Sequence, residues 1–479
     1  MAGSILFRAE APPSSAPRRR VRPAVRRSLR IKPGRPAVRI RPGWPLVLMY
    51  AGLPIWWLLG LANIGFVIIA IPMAYQLLKR RTIATPRGFG LWLLFLAWVA
   101  AGVMTLWADA PGAQPASGFG RLLPYGYRLV WYLAATIFLL YVGNMSEREL
   151  PTRQIVRLLS WFFLVTVAGG YLGWLFPHLE FSSALELALP RGITNIEFVR
   201  ILIHPAVAQI QNIIGHESPR PKAPFSFAND WGANYGMLLP FFLLSWLRYP
   251  SKWRRRLFPV VALASIPPVI FSLNRGLWLG LIVMALYALI WVTVRGRFGA
   301  AAALVGAAVV VAGVVILSPL GHQVQERIAN PHSNTGRERL ASLAVRSTLE
   351  GSPVIGFGAP RAVQGNFFSI AGGATPTCPQ CSPPLLGTQG HLLLLVFAHG
   401  FVGALWFLGF VYYRFFRGLR DPSPDAMAYT AVGVFFTAVM PVYDLVSAPL
   451  LTLMLALGLL WRRERQARVI DETVTYDRP

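Results

Sequence analysis

Apolar runs of about twenty residues, separated by short basic connections, dominate the chain from Pro45 to Trp461. A helix crosses the hydrocarbon core of a bilayer with roughly 20 such residues, and the pattern holds twelve candidate spans. The first two share one uncharged stretch from Pro45 to Leu78, between an Arg-rich tail and Lys79, Arg80 and Arg81, which predicts a helical hairpin. The others are expected near 88–107, 126–143, 158–177, 226–247, 257–273, 276–294, 299–318, 391–413, 426–443 and 445–461. In lipid every backbone group must be paired within its own segment, so the pattern predicts an all-α polytopic membrane protein of about 12 transmembrane helices. Two connections stand out as long, residues 178–224 and residues 319–390, the second between helices 9 and 10.

Charge orients this plan. The chain has 46 Lys and Arg against 19 Asp and Glu, a net charge of +27, while 55% of residues are hydrophobic and 14% charged. That balance excludes a soluble enzyme of this size. On the twelve-span plan 34 basic residues fall on the cytoplasmic side and 12 outside, the acids dividing 9 and 10. The positive-inside rule then puts both termini in the cytoplasm and both long loops outside. The basic excess reads as orientation and not as nucleic-acid binding. Residues 1–43 carry 12 basic residues and one acid among repeated prolines, and are expected to be a disordered cytoplasmic tail. Residues 44–461 form the membrane domain, and 462–479 a second cytoplasmic tail. No signal peptide is expected, because the first apolar run starts late and continues into a second helix. The basic tail serves topology, or also holds anionic membrane lipids at about 1 kcal/mol per basic residue near the surface.

Basic residues on the outer side are not asked for by topology, so they carry the functional expectation. Arg275 stands in Ser272-Leu-Asn-Arg-Gly-Leu-Trp278 at the start of a helix, where free N–H groups and a guanidinium together favour a phosphate or pyrophosphate. The alternative is an interfacial Arg that snorkels to headgroups. Thr335 and Glu338 have capping-box spacing. In a helix begun there Arg337 shares a face with Leu340 and Ala344 and points at the apolar body, while Arg339 and Arg346 point elsewhere. The stretch Gly351-Ser-Pro-Val-Ile-Gly-Phe-Gly-Ala-Pro360 then breaks the helix and returns the chain toward the membrane.

Gly387-Thr-Gln-Gly-His391 opens the tenth span, placing His391 at its external mouth, as a proton acceptor near neutral pH or a hydrogen-bonded interfacial His. His399, two turns deeper, reads as structural. Near the outer end of the sixth span, Asn229 can position a sugar or phosphate and Asp230 an Arg or His, with helix capping the competing role. Arg128 is another outer Arg at a helix end, and Asp444, between the last two spans, is a carboxylate such an arginine can pair with. Cys378 and Cys381, the only cysteines, can close a tight disulfide on an oxidising face. A redox pair lacks a βαβ context here, and zinc lacks further ligands. There is no Asp-x-Asp pair, no outward carboxylate cluster and no Walker-type loop, so no metal, nucleotide or other cofactor is expected.

Four segments together resemble the O-antigen ligase and polymerase family of polytopic glycan transferases. Phe225-Ser-Phe-Ala-Asn229 resembles its Gly-Thr-Phe-x-Asn, and Ser272-Leu-Asn-Arg-Gly-Leu-Trp278 its Ser-Arg-Gly-x-Trp. Gly336-Arg337 through Pro353-Val-Ile-Gly-Phe-Gly358 resembles its Gly-Arg helix and Pro-Leu-x-Gly-x-Gly. His391 through Gly400-Phe-Val-Gly403 resembles its His-Asn helix with Gly-x-x-Gly. The set covers about 180 residues in the family's order. At the family's His position this chain has Gln389, with His391 two residues later. Either His391 takes the base role from a shifted position, or another group does and Gln389 only binds sugar.

The resemblance implies a GT-C-like architecture and metal-independent, inverting transfer of a glycan on the external face. The donor would be a polyprenyl pyrophosphate and the acceptor a polysaccharide or glycolipid hydroxyl. In it Arg275 and Arg337 stabilise the leaving pyrophosphate and His391, or less readily Asp230, takes the proton. Arg128, Asn229, Gln389 and Arg346 are candidates for substrate binding. The use of 42 Arg against 4 Lys associates the chain with an actinobacterial-type member. The opposing expectation is a transporter or flippase of lipid-linked sugars or polysaccharide, which would place polar residues at the bilayer midplane in broken helices.

Overall fold

The computed structural model describes residues 42–115, 118–212, 216–249, 251–329, 332–364 and 384–476. It is mostly helical. In chain order the helices are α1 (Trp44–Ala51), α2 (Leu53–Leu58), α3 (Ile64–Leu78), α4 (Phe89–Ala101), α5 (Gly118–Asn144), α6 (Thr152–Leu175), α7 (Ala184–Ala188), α8 (Arg191–Thr194), α9 (Glu197–Ile203) and α10 (Ala228–Leu243). They continue as α11 (Lys252–Ala264), α12 (Ile266–Phe271), α13 (Arg275–Val294), α14 (Phe298–Leu317), α15 (Leu320–Ala329), α16 (His332–Gly351), α17 (His391–Gly418), α18 (Pro424–Val439) and α19 (Ala448–Tyr476). Every predicted apolar run is largely helical. Among the described residues α5, α6, α13, α14 and α17 are each long and apolar enough to cross a membrane.

The helical fold fits the expected all-α class, with few strands beside it. The two long loops carry small antiparallel hairpins, β1 (Ala208–Asn212) with β2 (Glu217–Pro221), and β3 (Arg361–Ala362) with β4 (Leu385–Leu386). These segments lie outside the apolar runs, where neighbouring strands can satisfy the backbone.

Several predicted continuous spans are broken, each at a recognisable residue. The first turns at Gly52 between α1 and α2, and α1 then packs on α3 as the expected hairpin. The seventh divides at Ser265, followed by Pro267 and Pro268 at the start of α12. The tenth, α17, breaks at Gly400, whose φ of 67° and ψ of 179° leave the helical region. The rings of His391 and Phe407 lie 5.1 Å apart, whereas sixteen residues of straight helix span about 24 Å. The chain therefore folds back sharply at Gly400.

The Pro353–Gly358 segment docks into that break. Phe357 N–H donates to Phe397 O at 2.9 Å, Gly358 N–H to Ala398 O at 2.8 Å, and Phe401 N–H to Pro353 O at 2.9 Å. Gly356 has φ 76°, and a side chain on it would put Cβ 2.5 Å from Gly400 N. The glycine-rich return predicted from sequence is thus a backbone clamp across a broken helix. It supplies hydrogen bonds that an interrupted helix leaves open.

Most of the core is one apolar cluster built around α5, α6, α10, α17, α18 and α19, and smaller clusters lie apart from it, among them one that packs Leu340 and Ala344 of α16 with Phe357. Small residues let these helices approach: Gly236 on α10 and Gly280 on α13 both face the ring of Phe435 on α18. By contrast α14 buries none of its residues, as fits a helix whose whole surface meets lipid.

Candidate functional site

Everything centres on the turn before α13. Leu273 takes a positive φ of 51°. Arg220 of β2 donates Nε to Ser272 O at 2.9 Å, and Arg327 of α15 donates Nε to Leu273 O at 3.1 Å. Arg275 follows as the first residue of α13. Arg337 of α16 lies within electrostatic range of Arg220, Arg275 and Arg327. Four arginines from four separate segments thus surround one turn. Burial, with Arg337 beside it, pulls the Arg220 guanidinium down to about 10. Burial and then the charges of Arg275, Arg220 and Arg337 bring Arg327 to about 10 as well. Both stay protonated at neutral pH, so the cluster is strongly cationic.

Helix α16 begins earlier than the capping-box spacing suggested. It starts at His332, which leaves Thr335 inside the helix rather than at its cap. The predicted faces hold: Leu340 and Ala344 are buried, Arg337 is half-buried, and Arg339 and Arg346 are exposed. Arg346 follows Arg337 by nine residues, half a turn round a helix of 3.6 residues per turn. It points away from the cluster, so its expected place among the substrate-binding residues is not met by the geometry.

The N-terminus of α13 differs from expectation. Asn274 is the cap, its Oδ1 accepting from Leu277 N–H at 3.2 Å. The Tyr443 hydroxyl sits against Gly276 and Leu277. The helix end is therefore already engaged by side chains, and the capacity for an anion lies in the guanidinium groups.

Tyr443 joins this cluster to a second group through its neighbour. Asp444, in the connection between α18 and α19, lies 3.8 Å from Arg128 Nη2, an ionic contact too long for a hydrogen bond, and 3.8 Å from His391 Nδ1. The pairing expected of Asp444 with an outer arginine is thus with Arg128. Its Oδ1 also accepts from Val446 N–H at 3.1 Å. Burial pushes the Asp444 carboxyl up, but the His391 imidazole and the Arg128 charge outweigh it and leave it below the usual carboxylate range. Asp230, in the first turn of α10, is within electrostatic range of Asp444, and both act on Tyr127.

His391 is not at an open mouth. Its side chain is 0% exposed, with the ring edges of Phe407 and Phe436 at 5.1 and 5.6 Å. The reason is the start of α17: His391 N–H donates to Tyr443 O at 2.6 Å and Leu392 N–H to Met440 O at 3.1 Å, which plugs the helix into the α18–α19 connection. Among the described residues neither ring nitrogen has a hydrogen-bond partner. His399, expected to be structural, is fully buried against the edges of Phe95 and Tyr132.

Asn229 does not cap α10, whose N-cap is Phe227 without a side-chain bond. Its Oδ1 accepts from Arg220 Nη2 at 3.1 Å while Gln211 Oε1 takes Nη1 at 2.8 Å, so Asn229 orients an arginine. Gln389 donates Nε2 to Leu385 O at 3.0 Å, and its buried Oε1 has no partner among the described residues. Cys378 and Cys381 lie outside the described residues. The structure thus brings together Arg128, Arg275, Arg337, Asn229, Asp230, His391 and Asp444. It adds Arg220, Arg327 and Tyr443, which sequence reasoning missed. Arg220 and Arg327 were open to the argument used for Arg275, since both are basic residues on the predicted outer side. Tyr443 offered no signal, being one aromatic at the end of an apolar run.

Comparison with known protein families finds no family that matches this chain, and no curated protein matches it.

Proposed function

We propose that the chain is a membrane glycosyltransferase of the O-antigen ligase and polymerase type. It would transfer a glycan from a polyprenyl pyrophosphate to a hydroxyl of a polysaccharide or glycolipid acceptor. The observation that carries this reading is the gathering of Arg220, Arg275, Arg327 and Arg337 on one turn beside Asp444, Arg128 and His391. A leaving lipid pyrophosphate builds negative charge as its bond to the sugar breaks, and preorganised guanidinium groups in a partly dry cleft stabilise that charge more than the ground state. The acceptor oxygen bonds to the anomeric carbon from the opposite side, which inverts it, and the hydroxyl proton passes to the Asp444–His391 pair. On this reading twelve helices span the plasma membrane, both termini are cytoplasmic, and the arginines face the exterior.

One observation favours the alternative of a transporter or flippase for lipid-linked sugars: α17 is broken at Gly400 with an irregular segment docked in the gap, the local architecture of substrate-conducting helices. Against it, the arginines of the cluster stand on β2, α13, α15 and α16 and not along the broken helix.

The test is purified protein in lipid with a polyprenyl-pyrophosphate oligosaccharide pool and extracted envelope acceptors. Release of lipid pyrophosphate with glycan transfer is expected, unaffected by chelator. Arg275→Ala and Arg337→Ala are each expected to lower turnover about 100- to 1,000-fold. No transfer to any acceptor, together with donor movement across the bilayer, would leave the transporter.

A further inference from the structure

We infer that Asp444 is the group that takes the acceptor's proton, and that His391 is a positioning residue behind it. This rests on the transferase reading above. The geometry orders the two groups by access. His391 is sealed, with 0% of its side chain exposed and its ring walled by Phe407 and Phe436, whereas Asp444 keeps 30% of its side chain exposed. A base must come within about 3 Å of the proton it removes, and of the two only Asp444 can be approached. The carboxylate is also held in place from several sides, by Arg128 at 3.8 Å, by His391 at 3.8 Å and by the Val446 N–H at 3.1 Å. It directly follows Tyr443, whose hydroxyl lies against the start of α13 beside the arginines. Proton acceptor and leaving-group cradle are therefore tied to one dipeptide, which keeps their spacing rigid.

The step balances. The acceptor oxygen forms its bond to the anomeric carbon, and that carbon's bond to the phosphate oxygen breaks. The electron pair leaves on the lipid pyrophosphate among the arginines, and the hydroxyl proton moves to an Asp444 carboxylate oxygen. The groups facing Asp444 are Tyr127, Arg128 and Tyr132 from α5, Asp230 from α10, His391 from α17, and adjacent Tyr443. Asp444 is the carboxylate among them that lies beside the Arg128 guanidinium and is held below the usual carboxylate range, so it is available as a base across the neutral range.

The experiment compares wild type, Asp444→Asn, Asp444→Glu and His391→Gln in lipid with the same donor and acceptor pools, and repeats each with sodium azide replacing the acceptor. Azide attacks the anomeric carbon without losing a proton, so it needs no base. Asp444→Asn should lose about 100- to 10,000-fold in acceptor transfer and recover glycosyl-azide formation to near the wild-type rate. Asp444→Glu should keep part of the transfer. His391→Gln should lower turnover and keep the acid limb of kcat/KM, moved upward because the imidazole holds the Asp444 carboxyl down; in wild type that limb should lie near or below the ordinary carboxylate value of about 4. Two results overturn the assignment: Asp444→Asn transferring as well as wild type, or an acid limb near the imidazole value of about 6.5 that His391→Gln removes. Failure of azide to rescue a folded Asp444→Asn also overturns it. If wild type releases lipid pyrophosphate with neither acceptor nor azide, the transferase reading itself fails.

Discussion

Arg220 and Arg346 separate what residue-level reading reaches from what it misses. Both are basic residues of the long predicted outer loops, and only Arg346 was singled out from the sequence. Arg220 is buried on β2 and held by Ser272, Gln211 and Asn229, while Arg346 is exposed on the far side of α16 from Arg337. A guanidinium's value to a ligand depends on its neighbours, and no spacing rule reports those across a hundred residues. Crowded, buried cations also make a prediction. Arg220 and Arg327 have affinities for the proton lowered to about 10 by burial and by neighbouring arginines, Arg337 in both cases, so their charged forms cost stability in the folded state below that pH. An anion bound among them offsets this cost. Inorganic pyrophosphate at a hundredfold excess over its Kd should stabilise the protein by about 2.7 kcal/mol, seen as a higher Tm. The shift should vanish in Arg220→Ala, persist in Arg346→Ala, and shrink as the pH approaches 10. An equal shift in both variants would remove Arg220 from the anion site.

At the scale of elements, the Pro353–Gly358 segment and the break in α17 form one unit. Its glycines were legible as a turn, and its return toward the membrane was expected, but its partner was not, since nothing local marks Gly400 as a break rather than a helical glycine. The clamp needs a left-handed backbone at Gly356 and Gly400 and backbone within 2.5 Å of where a side chain would begin. Gly356→Ala and Gly400→Ala should each destabilise the protein by about 1–3 kcal/mol and lower its Tm in detergent. Gly299→Ala on α14 meets nothing within 4 Å and should leave Tm unchanged or slightly raised. Equal Tm values for all three would contradict the clamp. The same break buries His391, because an uninterrupted α17 would carry Phe407 far from it.

For the whole molecule, orientation is the open quantity with a direct test. In a background with Cys378 and Cys381 replaced by Ser, single cysteines at the exposed positions Gly192, Lys252, Arg346 and Arg468 report their side through a membrane-impermeant maleimide. Gly192→Cys and Arg346→Cys should label on intact cells, and Lys252→Cys and Arg468→Cys only after permeabilisation. Labelling of Lys252→Cys together with Gly192→Cys would overturn the twelve-span plan. The helical membrane class, the position of each apolar segment, the opening hairpin and the faces of α16 were all readable in the chain. They follow from local rules: the length and composition a bilayer demands, the period of a helix, and the charge of its flanks. Tertiary structure alone decided the rest: which arginines meet, which nitrogen donors at α13 are already taken, and that Asp444 stands in front of a buried His391. These are contacts between segments far apart in sequence, set by how helices pack and where the backbone breaks. Such contacts leave no periodic trace along the chain.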